Sequence, residues 1–270
     1  MTVTGAGTAD VPPSALADTV LRRLTAAYGA AADPARAAAM SAYMKDVAPF
    51  LGIPTPERRA LSRSVLAALP RPDEADCTAI GLRCWALPER EYHYFAVDYL
   101  RRYAGRCSSA FLPVVRRLVT TVSWWDTVDL LAVRVVGPLV AADPRLTAEM
   151  DAWITDDDLW VARTALLHQL GYKDRTDSAR LFGYCLRQSG HPDFFVREAM
   201  NMALTPVATP VTRENRLSLD VSRTSRRSFR RCLGDQTSQT SFHPRLRMAR
   251  SNRRCRASSR YCLISGVGCW

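Results

Sequence analysis

The stretch TTVSWWDTVDLLAVRVVGPLVAA, residues 120–142, decides how the chain is read. Paired tryptophans and two aspartates, Asp126 and Asp129, stand near its start, and apolar residues fill the rest. Apolar positions recur at three- and four-residue spacing without a sustained alternation, so the pattern predicts a helix over 124–142 rather than a strand. The longest apolar run, 130–142, is interrupted by Arg134 and is too short to cross a bilayer. Ser123 followed by Asp126 has the form of a capping box, so Asp126 is expected to serve the helix start and its dipole. Trp125 and Asp129 are four residues apart and share one helix face. An indole beside a carboxylate suits a ligand that is flat or positively charged. The same spacing equally describes a core tryptophan beside a surface aspartate.

Outward from this stretch, the helical grammar runs from Pro13 to Leu204. Start signals recur in TPERR (Thr55 as cap, Pro56 in the first turn), LPEREY (Pro88), TDDDLW (155–160) and RTDSAR (175–180). Helices are expected over 13–32, 34–48, 56–69, 73–86, 88–103, 108–121, 124–142, 144–154, 157–170, 177–189 and 194–204. Connections are short and helix pairs recur roughly every 35–40 residues, a rhythm near that of HEAT and armadillo repeats. The expected fold is therefore all-α, a HEAT-like α-solenoid of stacked pairs with a concave binding face, in preference to a closed bundle.

The ends read differently. Residues 1–12 are small and polar with a proline pair, and are expected to be disordered. After Leu204 the text is rich in arginine, serine and cysteine without apolar periodicity, so 205–270 is expected to be a disordered tail. One reading makes it a basic arm that wraps nucleic acid. The favoured reading is an out-of-frame C-terminus, because the change falls at FFVREAMNMAL (194–204), a helix in mid-course, rather than in a linker. The tail holds 14 arginines against 3 acidic residues, which equals the whole net charge of +11. The remainder has 23 basic residues (37 less 14) and 23 acidic residues (26 less 3), so bulk charge says nothing about nucleic acid binding by the helical part.

The start MTVTGAGTADVPPSA lacks a basic segment and an apolar stretch, so a cytoplasmic protein is expected. None of the 8 cysteines forms a C-x-x-C pair and the 4 histidines do not cluster with them, so free thiols and no metal site are expected.

Four segments occur in order: YMKDVAPFLGIPTPERRAL (43–61), SWWDTVDLLA (123–132), LWVARTALLHQLGYKDRTD (159–177) and DFFVREAM (193–200). Together they resemble the DNA alkylation repair family, the AlkD-like alkylpurine DNA glycosylases built from HEAT-like repeats, over roughly residues 30–204. The resemblance implies hydrolysis of the N-glycosidic bond of cationic alkylated purines such as 7-methylguanine and 3-methyladenine in duplex DNA. It also implies action without a base-flipping pocket and without a cofactor. The expected state is a monomer, associated with the nucleoid through DNA and not with a membrane.

The resemblance assigns roles residue by residue. Asp129 would stabilise the sugar cation and position water, Trp125 would pack on the deoxyribose, and Arg163 would hold the phosphate near the lesion. Tyr43, Lys45 and Lys173, with Trp124, would lie on the DNA side. Lys45 and Lys173 are the only lysines in the chain. Met202 stands where the family has a second sugar-facing tryptophan, and Gly171 where a close relative carries a basic residue. The family's closing helices are replaced by the arginine-serine tail. Two rival readings are a non-catalytic HEAT-like DNA-binding protein and a helical-repeat scaffold for protein partners. The Trp125–Asp129 pair favours the enzyme, while Met202 and the altered C-terminus favour the rivals.

Overall fold

Asp73, Asp158, Asp177 and Asp193 each place a carboxylate oxygen on a backbone N–H of the helix that follows, satisfying amides that have no intrahelical partner. The computed structural model describes residues 11–207, and among these the chain forms helices and no strand. The expected segment 1–12 and tail 205–270 fall almost wholly outside the described residues.

The helices are α1 (Ala15–Ala30), α2 (Pro34–Tyr43), α3 (Thr55–Val65), α4 (Glu74–Trp85), α5 (Arg90–Tyr103), α6 (Leu112–Thr120), α7 (Trp125–Leu131), α8 (Gly137–Ala142), α9 (Thr147–Trp153), α10 (Leu159–Leu167), α11 (Ser178–Arg187) and α12 (Phe194–Leu204). Packing follows chain order: α1 lies against α3 and α4, α4 against α5 and α6, α5 against α7, α7 against α10, and α10 against α12. Each element touches its neighbours, as in an α-solenoid. None of the described helices is long and apolar enough to cross a membrane.

Three details differ from the sequence reading. Thr55 is the first residue of α3 and not its cap; Pro54 holds the cap position without a side-chain hydrogen bond. The helix expected over 34–48 stops at Tyr43, because Lys45 and Asp46 adopt φ of 60° and 54° and turn the chain away. The helix expected over 124–142 is present but contains a π-helical turn, Ala132–Val136, between α7 and α8. Pro138 has no N–H to offer the carbonyl four residues back, and the wider turn accommodates that loss. Gly137 sits there because α8 presses on the end of α10: a Cβ would lie 2.4 Å from the His168 carbonyl oxygen.

The loop that follows α2 is held from below by the first turn of α5. The Glu91 side chain, fully buried, accepts hydrogen bonds from the amides of Leu51 (2.9 Å), Gly52 (2.9 Å) and Ile53 (3.1 Å). Next to it, the Arg90 amide donates to the Pro49 carbonyl at 2.8 Å. Gly52, at φ 87°, approaches the start of α2 so closely that a Cβ would meet the Asp33 carbonyl oxygen at 2.2 Å.

Glu91→Ala removes the acceptor from three amides at once. At about 1–3 kcal/mol for each buried donor left unpaired, the variant is expected to lose at least about 3 kcal/mol of unfolding free energy. Equilibrium urea unfolding checks this, and an unchanged midpoint would contradict the anchoring role.

Candidate active site

The site begins with a strained turn. Val122 connects α6 to α7 at φ 49°, a conformation that a β-branched side chain adopts only under outside constraint. The constraint is visible. Trp85 Nε1 donates to the Thr121 carbonyl at 2.8 Å, and Arg90 Nη1 donates to the Val122 carbonyl at 2.7 Å. The expected capping box is absent: Trp124 occupies the cap position, and the Ser123 hydroxyl donates back to the Val119 carbonyl at 2.6 Å. The tight turn aims that hydroxyl at α6, away from the amides of α7.

Asp126 lies in the first turn of α7, as expected, and accepts from the Thr127 amide there at 3.0 Å, but side chains of α5 also hold it. It accepts from Arg90 Nη2 at 2.5 Å and Nε at 3.1 Å, and from the Tyr94 hydroxyl at 2.6 Å. Arg90 is 1% exposed and completes its donors on Thr127 Oγ1 at 3.0 Å and towards His93 Nδ1 at 3.3 Å. His93 also faces the Leu87 carbonyl through Nε2 at 3.0 Å, so Nε2 carries the proton and Nδ1 accepts. Burial, and then the charge of Arg90, hold the His93 imidazole down to about 4, so it stays neutral beside the guanidinium.

One turn further along α7 lies the second pair. Arg163, on the buried helix α10, donates from Nε to Asp129 Oδ1 at 2.6 Å and from Nη2 to Oδ2 at 2.7 Å. Its Nη1 donates to the Phe195 carbonyl on α12, and Nη2 also approaches the Met202 sulfur at 3.7 Å. Arg163 is 2% exposed, whereas the Asp129 side chain is 18% exposed, so only the carboxylate end of the pair reaches solvent. Burial pushes the Asp129 carboxyl above its ordinary value; the Arg163 hydrogen bonds and charge pull it down, and the charges of Asp126 and Glu198 add to the rise.

This geometry corrects the expectation for Arg163. A guanidinium sealed from water, with its donors spent on Asp129 and Phe195, is not placed as a phosphate clamp; it orients Asp129 instead. Trp124 is likewise not free on the DNA side. Its ring lies 4.9 Å from Phe195 and 5.8 Å from Trp160, which is 5.0 Å from Phe195, forming an aromatic cluster across α7, α10 and α12. Trp125 is half-buried, one turn before Asp129, and among the described residues its ring has no aromatic or hydrogen-bond partner. Met202 touches the Asp129–Arg163 group through its sulfur. Tyr43 is 58% exposed, and Lys45 and Lys173 are exposed with φ of 60° and 57°. Among the described residues, no contact joins these three to the Asp129 group.

Sequence reasoning missed Arg90, Phe195 and Glu198. LPEREY marked a helix start without showing that its arginine would be buried. The aromatic pair in DFFVREAM was the available signal for Phe195.

What the arrangement offers is a mostly buried carboxylate with one edge open to solvent, fixed by two hydrogen bonds, one turn along α7 from an indole. Such a corner can stabilise positive charge that develops next to it.

The DNA alkylation repair enzyme family matches the chain over residues 24–225. A solved structure described as a predicted DNA alkylation repair enzyme from Enterococcus faecalis is 26% identical, with a TM-score of 0.59. The match covers 76% of this chain and 89% of that one. No curated protein matches the chain.

Asp129→Asn would leave the buried Arg163 without a counter-charge. Breaking one side of a buried pair costs about 3–5 kcal/mol, so the variant is expected to unfold that much more easily in urea. Stability equal to wild type would show that Arg163 is solvated and that the pair is not the anchor described.

Proposed function

The chain belongs to the DNA alkylation repair enzyme family, and from that premise we propose that it releases cationic alkylated purines, such as 7-methylguanine and 3-methyladenine, from duplex DNA. The observation that carries this reading is the Asp129 carboxylate, held bidentately by a buried arginine and open on its other side. In this reading the bond between C1′ and the purine nitrogen breaks, and its electron pair neutralises the positive charge already on the base. No general acid is then needed for departure. The sugar is left as an oxocarbenium-like cation, water adds to C1′, and the proton of that water is lost to solvent or to Asp129.

The residues take roles from their positions. Asp129 presents a fixed negative charge to the sugar cation, which favours the transition state because the charge develops only there. Trp125, one turn away, offers its indole face to the deoxyribose. Arg163 keeps Asp129 in place and leaves it one open side. Met202 borders the same group with a polarizable sulfur in place of a broad ring. Tyr43, Lys45 and Lys173, all exposed, are proposed as duplex contacts, and Trp124 ties the start of α7 to α10 and α12 through the aromatic cluster.

Purified protein incubated with methylated duplex is expected to release free 7-methylguanine. The single-turnover rate should fall as pH is lowered through the raised Asp129 value, since protonation removes the charge that the sugar cation needs. Its acid limb should therefore lie above that of an ordinary carboxylate, near 4. Duplex binding without release at any pH would instead support the non-catalytic DNA-binding reading.

A further inference from the structure

Glu198 stands out because, among the described residues, it is the carboxylate at this site without a counter-ion. Phe195, Glu198 and Met202 are three and four residues apart on α12 and so line one side of that helix. The Phe195 ring, 6.0 Å from the Arg163 guanidinium, and the Met202 sulfur both face Arg163, and Glu198 lies between them along the helix. Glu198 is half-buried and near enough for its charge to act on Asp129. Among the described residues it has neither a hydrogen-bond nor an ion-pair partner. Its neighbour Arg197 is turned away, donating to the carbonyls of His191 and Pro192.

The charges facing the site can be taken element by element. On α7, Asp126 is matched by Arg90 of α5, and Asp129 is matched by Arg163 of α10. Glu198 of α12 is matched by nothing described, so the group carries one net negative charge. A surface meant for duplex DNA gains nothing from an unpaired carboxylate, because phosphates are repelled by it. A cationic nucleobase gains directly.

We propose that Glu198 is a specificity-determining residue: its unpaired carboxylate makes the site prefer a positively charged nucleobase over a neutral one of the same shape. The proposal rests on the glycosylase reading for its ligand, but binding alone can test it. Glu198 is not required for bond cleavage, which falls to Asp129; it sets which base is held beside that carboxylate.

The test uses the full chain and two duplexes that differ at one nucleotide. One carries 7-methylguanine, which is cationic, and the other carries 7-methyl-7-deazaguanine, which is neutral and nearly identical in shape. Both are built on 2′-fluorinated sugars to slow release, and affinities are measured at low ionic strength. Wild type should favour the cationic duplex. Glu198→Gln, which keeps size and hydrogen bonding, should reduce that preference by roughly tenfold, and Glu198→Asp should keep most of it. The preference should also weaken as salt is added. A merely structural role would move both affinities together and leave their ratio unchanged. An unchanged ratio in Glu198→Gln, or no preference in wild type, overturns the proposal. A wild type that shows the preference but never releases base from an unfluorinated duplex supports the role of Glu198 while ending the glycosylase reading.

Discussion

A guanidinium sealed from water has to place its donors on protein oxygens, and two arginines in this chain meet that demand on one short helix. Arg90 of α5 reaches α7 at Asp126, and Arg163 of α10 reaches it at Asp129. Both arginines also take a backbone carbonyl, of Val122 and of Phe195. The start of α7 is thus tied to α5, α10 and α12 by directional bonds and not by apolar contact alone. A third pair, Arg58 to Asp98 at 3.1 Å, links α3 to α5 in the same manner. Fork-shaped donors facing carboxylates fix position and angle together, which sets the register between successive helices.

Buried ion pairs rarely add net stability over an apolar pair of equal volume, since desolvation of both charges offsets their attraction. The two pairs on α7 differ in that respect. Arg90 and Asp126 are both closed off, and their neutral neighbour His93 and the hydroxyl of Tyr94 complete a network with a positioning role. The Asp129 carboxylate is open on one side and stands beside Trp125, whose ring is not engaged. There an apolar pair of equal volume could not present a charge to solvent. The strained Val122 turn fits this view, because it leads into Trp124, whose ring packs on Trp160 at the start of α10 and Phe195 at the start of α12.

Much of the helical framework was legible from local chemistry. Asp158, Asp177 and Asp193 begin helices where the sequence signals put them, and FFVREAMNMAL forms one helix with the bounds its periodicity implied. Local signals failed where a distant partner decided the outcome. Ser123 has the spacing of a cap, yet the captured carbonyls of Thr121 and Val122 force a turn that points its hydroxyl elsewhere. Lys45 ends α2 early because the loop beyond it is pulled down by Glu91, forty residues or so along the chain. The resemblance named both Arg163 and Asp129, with Arg163 given to a phosphate. It could not show that they hold each other, since pairing across α7 and α10 depends on packing and not on spacing.

In the proposed reaction the Asp129–Arg163 pair serves through its charge and not through stability. The double replacement Asp129→Leu/Arg163→Met removes both charges while filling their space, and it should fold at least as stably as Asp129→Asn, where one charge is left buried and alone. The decisive measurement is release of 7-methylguanine from methylated duplex by this folded double variant. Release should be lost, with wild-type protein active in the same preparation of DNA. Release at the wild-type rate by a protein with no carboxylate at position 129 would rule out that role for the charge.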